Sequence, residues 1–415
     1  MRTTMHMLLR SFIAVAILCA SAAASEPYSR VVEKESGDIV LEMCTRTFVH
    51  PWGENPSVHL VSAIHIADQP YYASMQAQLN AYDTVLFDGV KPAGLDPIDP
   101  DLDDEAKVEA TQDRLKLLTD IAQRYRITHG EFPQNMESLR KADDPRIAAI
   151  VDSIKHDAWG RVFATEHAVN ITDDQKRSQV TFTSYGADQQ RGGEGVNADI
   201  SETAKHEFND GDKPEKTPEG IQTQLANALR VSFQLDEMDT TNPGWINADM
   251  DINQLQHALS EYGDDSLAIL DMLEGESFSA KIAGFVLGFV ARSPQLSSMM
   301  KLVMMDMLAL VETTNIMEQQ EAMQAVIVDG RNDVVIEYLK DTIAKHPNYA
   351  DIAIFYGAGH MPGLEEALVE MGYEPAGDTW AQAMTVNPKD TGLNEGQVKM
   401  MRNMIKSSLE QQMGR

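Results

Sequence analysis

Two stretches far apart in this chain share one design. Val58 to His65 is a β-rich apolar run that stops at a histidine, with Asp68 and Pro70 following. Ile352 to His360 is a second such run, passing through Gly357-Ala358-Gly359 and on to Pro362 and Leu364-Glu365-Glu366-Ala367-Leu368. A short apolar run ending at small residues, with a helix start just after it, reads as a strand, and residues 352–356, apolar throughout, as one buried on both faces. Two of these units imply an α/β fold. In open α/β sheets, ligands and catalytic groups gather at the carboxyl edge of the strands, where loops vary over a fixed support. His65 and His360 are therefore expected at one edge, with the remainder of the chain as their scaffold.

Other runs fit the same sheet. Asp38 to Met43 reads as a strand, with Pro51-Trp52-Gly53-Glu54-Asn55-Pro56 as the turn before Val58. Asp68 to Tyr82 reads as a helix, and Thr84-Val85-Leu86-Phe87 as a strand that delivers Asp88 to the edge of His65. Later, Ala325 to Val328 leads into Asp329-Gly330-Arg331-Asn332, and Asp333 can cap a helix over Val334 to Lys345. That spacing sets Arg331 near His360, although Arg331 could instead pair with Asp329 or Asp333. Asp251 to Glu318 reads as a long helical region.

Two imidazoles and a carboxylate from distant strand ends can hold a divalent ion and leave a position open for water. His65, His360 and Asp88 are the candidate ligands, for zinc, manganese or cobalt. Such an ion brings the pKa of bound water to roughly 7 in the zinc case. Arg331 could stabilise a developing oxyanion or fix a carboxylate. Asp88 could be ligand or general base, and the sequence leaves both open. His59 lies six residues before His65, ~20 Å along an extended strand at ~3.3 Å per residue, too far to share the ion.

The first residues, 1–24, carry Arg2 and Arg10, an apolar core from Phe12 to Leu18 and small residues from Ala20 to Ala24. They are expected to be a secretory signal peptide, which implies export to the periplasm or beyond the cell. Ile282 to Ala291 is too short to span a bilayer, so no transmembrane segment is expected after cleavage. Without the leader, Cys44 is the sole cysteine and no internal disulfide can form. The formal charge of −30 becomes −32 once Arg2 and Arg10 are removed. Phosphate backbones would be repelled, which argues against a nucleic-acid partner.

The composition breaks twice. Residues 93–107 and 203–218 are acidic, proline-containing stretches read as linkers, and between them 108–202 has its own logic. Leu115, Leu117, Leu118, Ile121, Ala122 and Tyr125 share one helical face, and His129-Gly130-Glu131-Phe132-Pro133 breaks that helix. Then come Asp157-Ala158-Trp159-Gly160, Ser184-Tyr185-Gly186-Ala187-Asp188, a Gly-rich loop and Ala198-Asp199-Ile200. These four motifs, in this order, resemble the globular part of the major pseudopilin of type II secretion, GspG. The resemblance implies calcium in the Gly-rich loop, with Asp188, Asn197 and Asp199 at the matching positions, and an envelope or secretion-system partner. Oxygen donors and turning glycines suit Ca²⁺. Ala198 stands where some members place a further Asp, and the hydrophobic helix that lets a pseudopilin polymerise does not precede this segment.

Outside the insert, the chain resembles the TraB/PrgY and TIKI family, allied to ChaN-like and erythromycin-esterase-like proteins. The matching residues are Val58 to His65, Tyr82 to Asp88, Phe233-Gln234, Asn247 to Met250, Arg331-Asn332, Gly357-Ala358-Gly359-His360 and Trp380. Ser62 replaces a glycine of the family pattern and Asp88 a glutamate. The resemblance implies a mixed central sheet flanked by helices, formed by 26–92 and 219–385, with 386–415 as a helical tail and 108–202 as a small inserted α+β domain. It also implies a metal-dependent hydrolase, in the manner of TIKI proteases, with a peptide or protein substrate. Two alternatives stand beside that reading: a non-catalytic peptide- or envelope-protein-binding protein, and a component associated with type II secretion.

Overall fold

The computed structural model describes residues 27–53, 55–141, 145–171, 176–208, 228–262, 290, 292–311 and 323–412. The expected leader, residues 209–218 of the second linker, and much of the expected long helical region lie outside these. In chain order the first part comprises β1 (Ser29–Glu33), β2 (Ile39–Val49), β3 (Ser57–Ala63), β4 (Ile66–Ala67), α1 (Gln69–Leu79) and β5 (Thr84–Phe87). Next come α2 (Asp104–His129), α3 (Met136–Arg140), α4 (Pro145–Ile154), β6 (Ala164–Ile171), β7 (Lys176–Ser184) and β8 (Ile200–Phe208). The chain continues with β9 (Ser232–Phe233), α5 (Gln234–Glu237), β10 (Trp245–Asn247), α6 (Ile252–Ser260), α7 (Pro294–Val311) and a π-helical stretch, Met323–Gly330. It closes with α8 (Arg331–Lys345), β11 (Asp351–Gly357), α9 (Met361–Glu370), β12 (Glu374–Val386) and α10 (Glu395–Gln412).

The main sheet runs β1-β2-β3-β11-β5-β10, with β12 also on β2. Strands β3, β11, β5 and β10 are mutually parallel, whereas β1, β3 and β12 each pair with β2 antiparallel. The fold is thus mixed α/β, as expected. Alternation along the strands divides the core into two layers. Val61, Ala63, Ala353 and Phe355 face Tyr72, Met75 and Leu79 of α1 and Leu302 and Met305 of α7. Val58, Leu60, Ile352, Ile354 and Tyr356 face Val335 and Leu339 of α8 and Leu364 and Leu368 of α9. A strand buried on both sides reads as unbroken apolar sequence, as Ile352 to Phe355 of β11 does; β3 departs from that at half-buried His59 and at Ser62.

The four parallel strands end together. Gly357 of β11 pairs with Ala63 of β3, and Phe87 of β5 pairs with both Phe355 and Asn247. Everything just after Ala63, Phe87, Asn247 and Gly357 is therefore delivered to one edge.

The segment α2–β8 is inserted between β5 and β10, which are hydrogen-bonded neighbours, so it leaves the sheet intact. Leu115, Leu118, Phe132, Leu139, Ile154, Val180 and Phe182 form a core separate from the two sheet layers. Its motifs are structural clamps. Asp157 accepts from the backbone N of Trp159 and Arg161 through Oδ1 and from Ser184 Oγ through Oδ2 (2.7 Å). Gly186 has a φ of +60° and a Cβ there would lie 2.7 Å from the Val196 carbonyl, so the Gly-rich loop closes only over glycine.

Two expectations need correcting. The acidic stretch 93–107 is not a bare linker: Leu95 packs against the module's core, and buried Arg114 donates to the carbonyls of Gly94, Asp96 and His156. A guanidinium taken out of water must find such acceptors, and the acidic stretch supplies two of them. The helix expected from Val334 begins instead at Arg331, with Gly330 at its N-cap position. The π-helical stretch feeds directly into it, so Asp333 sits in the first turn rather than at a cap.

Candidate functional site

Four side chains at the common edge come from four different strand ends. Asp88 follows β5 directly. Asp249 lies two residues beyond β10, and His65 two beyond β3; His360 closes the short 3-10 turn Ala358–His360 after β11. The first residue of α8, Arg331, reaches into the same place.

At the centre is a buried ion pair that the sequence did not suggest. Arg331 donates from Nε to Asp249 Oδ1 (2.8 Å) and from Nη2 to Oδ2 (2.6 Å), a two-pronged fit. The Asp249 side chain is fully buried and also accepts from the backbone N of Gly89 and of Met250, both at 2.7 Å. Burial alone would raise the Asp249 carboxyl, but Arg331 and these two amides hold it below the usual range. Asp329 and Asp333, the partners the local sequence offered, are not the residues on which this guanidinium closes.

His360 is buried and fixed. Asn332 Nδ2 donates to the His360 carbonyl (3.2 Å), which turns Asn332 Oδ1 toward the ring, 2.9 Å from Nδ1. Nδ1 therefore carries the hydrogen and Nε2 keeps its lone pair. Gly363 preserves this arrangement, because a Cβ there would lie 2.6 Å from Asn332 Nδ2. The Tyr356 ring packs edge-on against the imidazole at 5.3 Å, and its hydroxyl donates to the Ala248 carbonyl. Burial first, and the Arg331 charge second, pull the His360 pKa down to about 3, so the ring is neutral at ordinary pH.

Asp88 Oδ2 accepts from the backbone N of Gly357 (2.9 Å). Burial pushes its carboxyl above the usual range, while His65 and Arg331 pull the other way. A Cβ on Gly357 would lie 3.7 Å from both Asp88 Oδ2 and His360 Cδ2, so these side chains flank that glycine. His65 is exposed, and its carbonyl accepts from the Gln234 backbone N (2.8 Å). Ser62 Oγ, Gln234 Oε1 and Asn247 Oδ1 are buried with no hydrogen-bond partner among the described residues. His59 lies elsewhere, between Thr47 and Asp351 and stacked on Tyr82.

Among the described residues no group of three or more His, Cys, Asp or Glu side chains is arranged to hold an ion. The His360 lone pair points at Arg331 Nη1, 3.5 Å away. A zinc ion on that nitrogen would sit ~2.0–2.1 Å out, in space the guanidinium already fills. The donor set of His65, His360 and Asp88 does not fit a bound metal in this arrangement.

In the insert, Asp188 and Asp199 are exposed, and Asp188 Oδ1 accepts from the Gln190 backbone N (3.0 Å). A Cβ on Gly193 would lie 2.4 Å from the Asn197 carbonyl oxygen, so chain and carbonyls close tightly around the loop.

Sequence reading named Asp88, Arg331, His65 and His360, and missed the parts played by Asp249, Asn332 and Gly363. A signal for Asp249 was present: Trp245-Ile246-Asn247 is a strand followed by an acid, the pattern that singled out Asp88.

Comparison with known proteins adds one finding. Residues 101–203 match the family described as Type II secretion system (T2SS), protein G, so the insert is a protein G-like module. No curated protein and no solved structure matches the chain. No helix among the described residues is long and apolar enough to cross a membrane.

Removing one member of a buried pair leaves an uncompensated charge, so Arg331→Ala should cost about 3–5 kcal/mol in urea unfolding. Because the folded Asp249 pKa is depressed, the pair's contribution is full above the unfolded value of ~3.9 and is lost as pH falls through the folded value. Asp249→Asn should accordingly flatten the acid limb of the stability curve. A cost below about 1 kcal/mol for Arg331→Ala would mark the pair as solvated.

Proposed function

We propose that the protein is an exported envelope component that works with type II secretion, using its protein G-like module to engage pseudopilins. The match over residues 101–203 carries this reading. The module hangs from the sheet between β5 and β10 with its own core, which suits a docking element displayed by a larger body. Its Gly-rich loop, with Asp188, Asn197 and Asp199, would take a calcium ion from carboxylate and carbonyl oxygens. The test is calorimetric titration of the full chain with purified type II pseudopilins, with and without calcium. Saturable binding that weakens at least tenfold in Asp188→Asn/Asp199→Asn is expected. Binding to none of them, in either condition, rejects the reading.

A second reading rests on the convergence of Asp88, Asp249, Arg331 and His360 at the carboxyl edge of the sheet. Such an edge suits amide or ester hydrolysis. Asp88, the carboxyl that burial pushes up, would take a proton from water as its oxygen adds to a carbonyl carbon. Arg331 would hold the resulting oxyanion, and Asp88 would pass that proton on to the departing nitrogen or oxygen. The unpartnered oxygens of Gln234 and Asn247 favour a substrate with N–H donors, hence a peptide. General-base catalysis contributes about 10²–10⁴-fold, so peptide cleavage by the full chain should drop by at least 10² in Asp88→Asn. Cleavage unchanged in that variant would remove Asp88 from the chemistry.

A further inference from the structure

We infer that Arg331 is the resident cation of this edge: its guanidinium fills the position between His360, Asp249 and Asp88 that a divalent metal would take. This rests on the hydrolytic reading for its chemistry only; the occupancy itself is a matter of binding.

Three features hold the guanidinium there. Asp249 grips Nε and Nη2, and is itself fixed by the backbone amides of Gly89 and Met250. Arg331 is the first residue of α8, so its backbone is set by a 15-residue helix whose inner face is buried against the sheet. The remaining nitrogen, Nη1, faces His360 Nε2, whose ring cannot turn away because Asn332 holds the opposite side. The lone pair a metal would need is thus already directed at an N–H, and a cation placed there would meet another cation at close range.

The carboxylates give the same answer. Asp249, the one whose proton is held off most firmly, has both oxygens engaged by Arg331 and two amides, and has no exposure through which to bind an ion. Asp88 offers one oxygen beyond its bond to Gly357, and His65 stands exposed to one side. That leaves too few free donors for the four-coordinate shell that zinc demands. The ligand such a site takes is a carbonyl or carboxylate group, received by the guanidinium without a bridging ion.

Zinc and manganese titrations of the chelator-stripped full chain, with calcium present to satisfy the insert, test this by calorimetry. The unmodified chain, His65→Ala and His360→Ala should give indistinguishable isotherms. One equivalent of either metal bound by the unmodified chain, and weakened at least tenfold in His65→Ala, overturns the inference. His65 is exposed, so that variant folds even where His360→Ala does not. In the converse arm, Arg331→Met frees His360 Nε2 and the Asp249 carboxylate together and should gain a one-to-one zinc site. A folded Arg331→Met chain that gains none also overturns the inference, since the guanidinium would then not be what keeps the ion out. Absence of hydrolytic activity bears on the reaction alone and leaves these isotherms as they are.

Discussion

The bidentate pair between Arg331 and Asp249 organises the carboxyl edge of the sheet. A carboxylate with no exposure survives in the interior only if every lone pair is satisfied, and here a guanidinium and two backbone amides do so. The pair ties the loop after β10 to the start of α8. Its leftover nitrogen then sets the electrostatic surroundings of His360, which burial and the neighbouring positive charge keep neutral. Asp88, a short distance around the same edge, is pushed in the direction of its protonated form by burial. A neutral imidazole and a raised carboxyl thus lie beside a fixed cation, and environment rather than residue type produced that combination.

The sheet explains why these groups meet at all. Parallel pairing of β3, β11, β5 and β10 aligns four strand ends drawn from widely separated parts of the chain. The protein G-like module enters the chain between two of those strands without displacing either. Because its apolar residues pack on one another, it needs little from the body beyond a firm root, and buried Arg114 with the carbonyls of Gly94, Asp96 and His156 supplies one. A secretion-related module and a polar sheet edge can thus coexist without sharing side chains.

Much of this was legible beforehand, for physical reasons. A strand buried on both faces leaves a continuous apolar run, so Ile352 to Tyr356 announced itself, Val58 to Ala63 did so as a mostly apolar run broken by His59 and Ser62, and small residues after them marked the edge. The motifs of the insert were readable because each is a local clamp, such as Asp157 on Ser184 or Gly186 against the Val196 carbonyl. What stayed hidden is what depends on tertiary pairing. Arg331 and Asp249 are 82 residues apart, and nothing local distinguishes Asp249 from Asp329 or Asp333 as a partner. The start of α8 was misplaced because a π-helical stretch runs into it where a cap was expected. Asn332 and Gly363 acquire meaning only when the His360 ring is seen between them.

The account turns on the state of one imidazole, which nitrogen-15 NMR of the histidine side chains reads directly. Neutral His360 bearing its hydrogen on Nδ1, with Nε2 shifts unmoved by added zinc and no titration near the ordinary value of ~6.5, is the predicted spectrum. Hydrogen on Nε2, or a ring that protonates near neutrality, would contradict the placement of Arg331 and Asn332 on either side of it.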